Sequence, residues 1–163
     1  MKLSVIIILS LLLSAGCRAQ TQLPAEMPAE ITVYLNISGA MMRSYKKITI
    51  GDGVLSVEEA TGNRQNPQKW SAKISRADLA KLYKKFVENE FDLIKNDERE
   101  GIFYDAGSES ISISLDKPKS FNVTYGKNSP LSGSNLARYQ AVRKAIDDLI
   151  AKNQPANQTT NEY

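Results

Sequence analysis

The sequence predicts an α+β domain in which an antiparallel sheet of about six strands is covered on one face by two amphipathic helices. Several short segments alternate apolar and polar residues, which is the period of a half-buried strand. Two longer segments repeat apolar residues every three or four positions, as amphipathic helices do. The segments follow one another in the order ββββαββα. Helices of this kind can cover the apolar face of such a sheet.

The first four strands are predicted from alternation before the first helix. The segments that show it are 31–38, 45–50, the residues around Leu55 and Val57, and 69–74. Gly51-Asp52-Gly53 predicts a tight turn after the second of them, because glycine and aspartate tolerate positive φ. A polar stretch over 61–68 predicts the loop before the fourth.

Both helices carry an apolar stripe and a candidate N-cap. Ser75 is the predicted cap of the first helix, with Asp78 reaching back as in a capping box. Ser134 or Asn135 is the predicted cap of the second. The stripes consist of Leu79, Leu82, Phe86 and Val87 in the first helix, and of Leu136, Tyr139, Val142, Ile146, Leu149 and Ile150 in the second.

The fifth and sixth strands form the clearest hairpin, with residues 116–119 as its turn. One face of the hairpin is apolar and the other carries short uncharged polar side chains. The polar face consists of Ser110, Ser112, Ser114, Asn122 and Thr124. A flat uncharged surface of this kind can bind a glycan or a partner protein. An ordinary solvent-facing sheet has the same sequence pattern.

The ends of the chain differ from the domain in composition. Residues 1–16 have the layout of a signal peptide, with Lys2 before an apolar stretch over 3–13 and small residues after it. That stretch is shorter than the ~20 residues that a membrane-spanning helix needs. Residues 17–30, which begin with the lone cysteine and contain two prolines, are predicted to be a flexible tether. The domain then occupies 31–152, and 153–163 form a disordered polar tail.

Leu13-Ser14-Ala15-Gly16-Cys17 resembles the lipobox of bacterial prolipoproteins, with Ser14 where that family prefers a larger aliphatic residue. The resemblance implies cleavage before Cys17, attachment of diacylglycerol to its sulfur, and a membrane as partner. Arg18 stands where an aspartate would retain some lipoproteins at the inner membrane, which implies the outer membrane in cells that have two. A second reading is cleavage after Ala19, which releases a secreted or periplasmic protein.

Residues 45–150 are similar to a set of uncharacterised small bacterial envelope proteins. The similarity rests on the Gly51-Asp52-Gly53 turn and on a sequence motif that begins at Ile74-Ser75. The motif continues with the apolar residues Leu79, Leu82, Phe86 and Phe91. The resemblance implies an envelope location and brings no activity with it.

Composition removes several classes of function. The chain has no histidine and a single cysteine, so Ser-His and Cys-His catalysis and histidine-based zinc sites are excluded. Cleavage before Cys17 removes Lys2 and leaves 20 basic against 18 acidic residues. A balance so near neutral argues against nucleic acid as a partner. We predict no catalytic residue, no metal site and no cofactor.

An acidic loop supplies the alternatives. Asp97, Glu98, Glu100, Asp105 and Glu109 are oxygen ligands that calcium can use, and carboxylates that a hydrolase can use. Their spacing does not match an EF-hand, and a solvated loop is the better interpretation. We therefore expect a non-catalytic binding or assembly module tethered to the cell envelope. An envelope enzyme that uses carboxylates of 97–109 and a passive structural protein are the alternatives.

Overall fold

The computed structural model describes residues 22–40, 44–62, 66–98, 101–104, 106–116 and 119–155. Within these ranges six strands and two helices follow one another in the predicted order, so the α+β class is confirmed. The strands are β1 (Ile31–Ser38), β2 (Tyr45–Gly51), β3 (Val54–Ala60), β4 (Gln68–Lys73), β5 (Ser108–Leu115) and β6 (Ser120–Gly126). The helices are α1 (Arg76–Glu88) and α2 (Gly133–Asn153), with a short 3₁₀ turn at Phe91–Leu93 between them.

The sheet has the strand order β4-β3-β2-β1-β5-β6, and every neighbouring pair is antiparallel. β1 lies near the centre because it pairs with β2 on one side and with β5 on the other. The second pairing joins distant parts of the chain, with Val33 opposite Ile113. Hairpin signals in a sequence identify only neighbours along the chain, so this central pairing had no local signature.

The core lies between one face of the sheet and the two helices. Alternate strand residues point into it, and they are almost completely buried: Val33, Leu35, Ile48, Ile50, Leu55, Ile111 and Ile113. The helices contribute Leu82 and Phe86 from α1 and Val142 and Ile146 from α2. We expect a Leu82→Ala change to cost ~2–5 kcal/mol, since it would leave a cavity in this layer.

The predicted N-cap of α1 is confirmed. The Ser75 hydroxyl accepts a hydrogen bond of 3.1 Å from the Asp78 amide and donates one of 2.9 Å to the Asp78 carboxylate. Lys152 of α2 donates to the same carboxylate at 2.8 Å. The Lys152 ammonium and the Ser75 hydroxyl together lower the pKa of Asp78. The start of α1 is thereby joined to the end of α2.

The predicted N-cap of α2 is wrong. The helix begins at Gly133, and Ser132 is its cap residue with an extended backbone. Asn135 is already helical, and its side-chain amide donates a hydrogen bond of 3.0 Å to the carbonyl of Lys95. Asn135 therefore serves to hold the chain that arrives from the 3₁₀ turn.

Residues 22–30, which we call the docked segment, differ from the free tether that the two prolines suggested. They form no helix or strand, yet Leu23 is only 3% exposed and belongs to the core. The buried Tyr83 of α1 donates a hydrogen bond of 2.7 Å to the carbonyl of Pro24. Arg76 donates to the carbonyl of Ala29 at 3.2 Å. Docking follows because α1 presents an apolar surface and a buried hydroxyl that both need a partner.

α2 ends at Asn153, two residues before the last described residue, Pro155. The predicted signal peptide over 1–16, the predicted lipid-attachment residue Cys17 and the part of the predicted tail beyond 155 lie outside the described residues. Within the described ranges, neither α1 nor α2 combines the length and the apolar character that crossing a membrane requires.

Candidate binding face

The five polar residues predicted from the hairpin all lie on the sheet face opposite the helices, which we call the open face. Their strand neighbours Ile111, Ile113 and Val123 point into the core, so alternation directs the polar residues away from it. The register places Ser112 opposite Asn122 and Ser110 opposite Thr124. The Ser112 hydroxyl donates a hydrogen bond of 2.6 Å to the side-chain oxygen of Asn122.

The register extends this pattern across the whole sheet. One residue from each strand stands in a line that we call the polar row. In sheet order its members are Asn122, Ser112, Tyr34, Thr49, Ser56 and Ser71. Adjacent strands lie ~4.8 Å apart, so the row crosses about 24 Å of surface. Five of its members present a hydroxyl and the sixth an amide, and none carries a formal charge.

Tyr34 is the centre of the polar row. It lies directly opposite Ser112 on β5 and Thr49 on β2. Its side chain is 38% exposed, which is high for a tyrosine on a central strand. A tyrosine in this position offers a flat apolar ring together with a hydroxyl at its tip. Alternation over 31–38 puts Tyr34 on the polar side of β1, but no pattern in the sequence indicates that β1 pairs with the serine-rich hairpin.

Charge divides the open face into two halves. Among the described strands, β1, β5 and β6 carry no charged side chain on this face. The charged residues lie on β2, β3 and β4, and they are Lys47, Glu58, Lys69 and Lys73. Three ammonium groups against one carboxylate make this second half, which we call the basic half, positive.

The single carboxylate of the basic half is already engaged. Tyr45 donates a hydrogen bond of 2.6 Å to Glu58, and the Lys69 ammonium lies 2.9 Å from the other carboxylate oxygen. The hydrogen bond from Tyr45, followed by that from Lys69, lowers the pKa of Glu58. Lys47 lies 5.1 Å above the Tyr45 ring and has no ion-pair partner among the described residues.

A shallow groove of about 430 Å³ lies over the basic half. Its lining includes Lys47, Thr49, Ser56, Glu58 and Lys69. Thr49 and Ser56 are members of the polar row, so the groove and the row are one continuous surface. The arrangement can accept hydroxyl groups along the row and a negative charge beside Lys47.

A second polar cluster lies between β5 and α2. Arg143 pairs with Glu109 at 3.2 Å and also with Asp147. Tyr139 is 1% exposed, and its hydroxyl has no hydrogen-bond partner within the described part of the chain. Burial, and next the negative charge of Glu109, raise the pKa of Tyr139. The cluster lies between helix and sheet, and the Arg143 guanidinium faces both of its carboxylates, Glu109 and Asp147.

The carboxylates of the enzyme alternative do not gather into one site in the described ranges. Glu109 is held by Arg143, whereas Asp97 lies where its amide donates to the carbonyl of Pro130. Glu100 and Asp105 fall outside the described residues. No group of three metal-ligating side chains occurs in the ranges that the structure describes.

No protein-family model matches the sequence, and no curated protein matches it. Function is therefore inferred from the geometry and charge of the open face.

Proposed function

We propose that this chain is a non-catalytic binding module of the bacterial cell envelope, anchored through a lipid on Cys17, and that its open face binds a glycan. The anchor follows from the leader that resembles a lipobox. The glycan follows from the polar row, which is the observation that carries the proposal. A chain released after Ala19 would carry the same binding face in soluble form.

The chemistry of the polar row suits carbohydrate. Sugars present hydroxyl groups that both donate and accept hydrogen bonds, and serine, threonine, tyrosine and asparagine side chains do the same. The Tyr34 ring supplies a flat apolar surface against which the C–H face of a sugar ring can pack. A row of about 24 Å offers an extended chain several successive contacts.

The basic half narrows the class of glycan. Lys47 lacks an ion-pair partner in the described part of the chain, and Glu58 is already occupied by Tyr45 and Lys69. An acidic substituent over the groove would meet the Lys47 ammonium, whose cross-strand neighbour Glu58 is already bound by Tyr45 and Lys69. We therefore propose a mainly neutral glycan that carries occasional acidic groups. A fully acidic polymer would place charge over the neutral half, where nothing balances it.

The experiment compares glycan binding by the parent protein and by variants of the polar row. Calorimetric titrations measure the affinity for a neutral polymer such as dextran and for an acidic one such as polygalacturonate. The two polymers represent the extremes of glycan charge. With the polymer that binds, Tyr34→Ala should weaken binding about tenfold or more, as the loss of a central aromatic contact does. Ser112→Ala should weaken it about two- to tenfold through one lost hydrogen bond.

Tyr104→Ala is the matched control, since this tyrosine is 86% exposed but lies in the loop after the 3₁₀ turn. It should bind glycan as the parent does. If Tyr34→Ala and the parent bound the polymer with equal affinity, the open face would not be the binding site. If glycans from the native envelope fail to bind while a protein copurifies in a Tyr34-dependent manner, the ligand is a protein and the glycan proposal is wrong.

A further inference from the structure

Three consecutive large apolar residues project into solvent from the loop between the 3₁₀ turn and β5. Ile102 is 66% exposed, Phe103 50% and Tyr104 86%. We call them the apolar loop tip. Single exposed apolar residues are common on protein surfaces, but three in succession at one protruding point mark an interaction site.

The backbone of the loop tip is held in this exposed position. The Asn128 side chain accepts a hydrogen bond of 3.0 Å from the Phe103 amide and donates one of 2.8 Å to the Phe103 carbonyl. Both main-chain polar groups of Phe103 are thus satisfied within the protein. That condition matters for any segment that enters an apolar medium, because an unsatisfied main-chain group there costs several kcal/mol.

The chemistry around the tip matches the interface of a lipid bilayer. Ile102 and Phe103 are apolar, whereas Tyr104 has the amphipathic character of residues enriched at the headgroup level. The Lys127 ammonium lies over the Phe103 ring, 5.9 Å from its centre. A cation beside the tip can pair with lipid phosphates when the tip lies in the headgroup region.

Gln22, the first described residue of the docked segment, lies at the same edge of the sheet as the loop tip. Lys119, just before the edge strand β6, donates a hydrogen bond of 3.3 Å to the carbonyl of Gln22. Asn128, just after β6, holds Phe103. Only five residue steps separate Gln22 from Cys17, so a lipid on Cys17 keeps Gln22 within ~17 Å of the bilayer surface.

We propose that the apolar loop tip inserts into the bilayer interface, so that the domain rests on the membrane along its β6 edge. This rests on the anchor that is part of the proposed function. β6 has seven residues and spans ~23 Å. When the domain lies on this edge, β6 runs along the membrane surface and both of its ends are close to it. The sheet then stands upright on the membrane, and the open face points sideways, where a glycan can reach it.

Tryptophan fluorescence in vesicles tests the insertion. Full-length Tyr104→Trp, extracted from membranes with its native N-terminus, is reconstituted into phosphatidylcholine vesicles with plain or brominated acyl chains. Bromine quenches only tryptophan that lies at acyl-chain depth. The fold should tolerate the substitution because the side chain at position 104 is highly exposed. We expect a blue-shifted emission at position 104 and at least a twofold loss of the added fluorescence in brominated vesicles.

Two controls test the orientation of the domain on the membrane. The native Trp70 on β4, at the opposite edge of the sheet, and a Tyr34→Trp variant on the open face should show no quenching by brominated lipid. An unquenched Tyr104→Trp in vesicle-anchored protein overturns the insertion and leaves a protein partner for the tip. The intact mass of the same sample shows whether Cys17 is acylated, and an unacylated chain overturns the anchor on which the proposal rests. Glycan binding measured on the same vesicles tests the proposed function of the open face independently of membrane insertion.

Discussion

The hydroxyl of Tyr83 donates a hydrogen bond of 2.7 Å to the carbonyl of Pro24, which lies 59 residues earlier in the chain. Through this bond helix α1 holds the docked segment, whose two prolines alone would predict a flexible spacer. The folded unit therefore includes residues before Ile31, and Leu23 completes its core. The folded unit thus begins fewer residues after Cys17, the proposed site of lipid attachment, than the strand pattern predicts.

Leu23→Ala tests whether the docked segment is part of the fold. Leu23 is 3% exposed and lies in the core cluster, so its truncation should lower the free energy of unfolding by about 2 kcal/mol or more. Urea denaturation followed by circular dichroism measures the change. Ile102→Ala removes a similar amount of apolar surface from an exposed position and should change the stability by less than about 0.5 kcal/mol. Equal stabilities of the two variants would mean that residues 22–30 do not pack on the domain.

Tyr139→Phe should stabilise the protein at neutral pH. The Tyr139 hydroxyl is buried beside the Glu109 carboxylate but makes no hydrogen bond of good geometry in the described part of the chain, and such a group costs ~1–3 kcal/mol. We therefore expect the variant to unfold at higher urea concentration, with a gain of about 1 kcal/mol. Tyr104→Phe, which removes an exposed hydroxyl, should be neutral. A destabilised Tyr139→Phe would show that the hydroxyl has a stabilising partner.

The same variant should alter the dependence of stability on alkaline pH. Burial raises the pKa of Tyr139 in the folded protein, whereas in the unfolded chain the tyrosine ionises with a pKa of ~10. Above that pH the unfolded state is stabilised by losing a proton that the folded state keeps, so the free energy of unfolding falls as pH rises. Phenylalanine cannot ionise, so the advantage of the variant over the parent should widen above pH ~10. Parallel curves from pH 8 to 11 would contradict a raised pKa.

Tyr45→Phe should raise the pKa of Glu58 towards its ordinary value. The hydrogen bond from Tyr45 is the largest cause of the lowered pKa, and the Lys69 ammonium would remain in the variant. A carbon-detected NMR titration of the Glu58 carboxyl between pH 2 and 7 measures the midpoint. Tyr34→Phe, on the same face but without a described contact to Glu58, is the matched control. An unchanged midpoint in Tyr45→Phe would assign the shift to Lys69 instead.

The sequence predicted what depends on local pattern. Alternation located the strands, and Ser75 with Asp78 located the start of α1, because both signals lie within a few residues of one another. It also assigned Ser110, Ser112, Ser114, Asn122 and Thr124 to one polar face of the hairpin. These predictions need only the pleat of a strand and the geometry of a helix end.

Features that depend on distant pairing were not predictable in this way. The pairing of β1 with β5 places Tyr34 beside Ser112, and no hairpin turn announces it. The docked segment was missed because its prolines exclude regular structure but say nothing about packing against Tyr83. The start of α2 was misplaced because Asn135, a good capping residue, bonds to Lys95 in the tertiary structure instead. Each error arose where a long-range contact overrode a local preference.

Chemical-shift mapping of a glycan titration tests the open face most directly. The protein is labelled with ¹⁵N, and amide shifts are recorded as the bound polymer from calorimetry is added. We predict that the largest shifts follow the polar row across the sheet, from Asn122 through Tyr34 to Ser71, while amides of α1 and α2 stay unchanged. Shifts confined to the helices or to the loop around Phe103, with none along the row, would contradict glycan binding at this face.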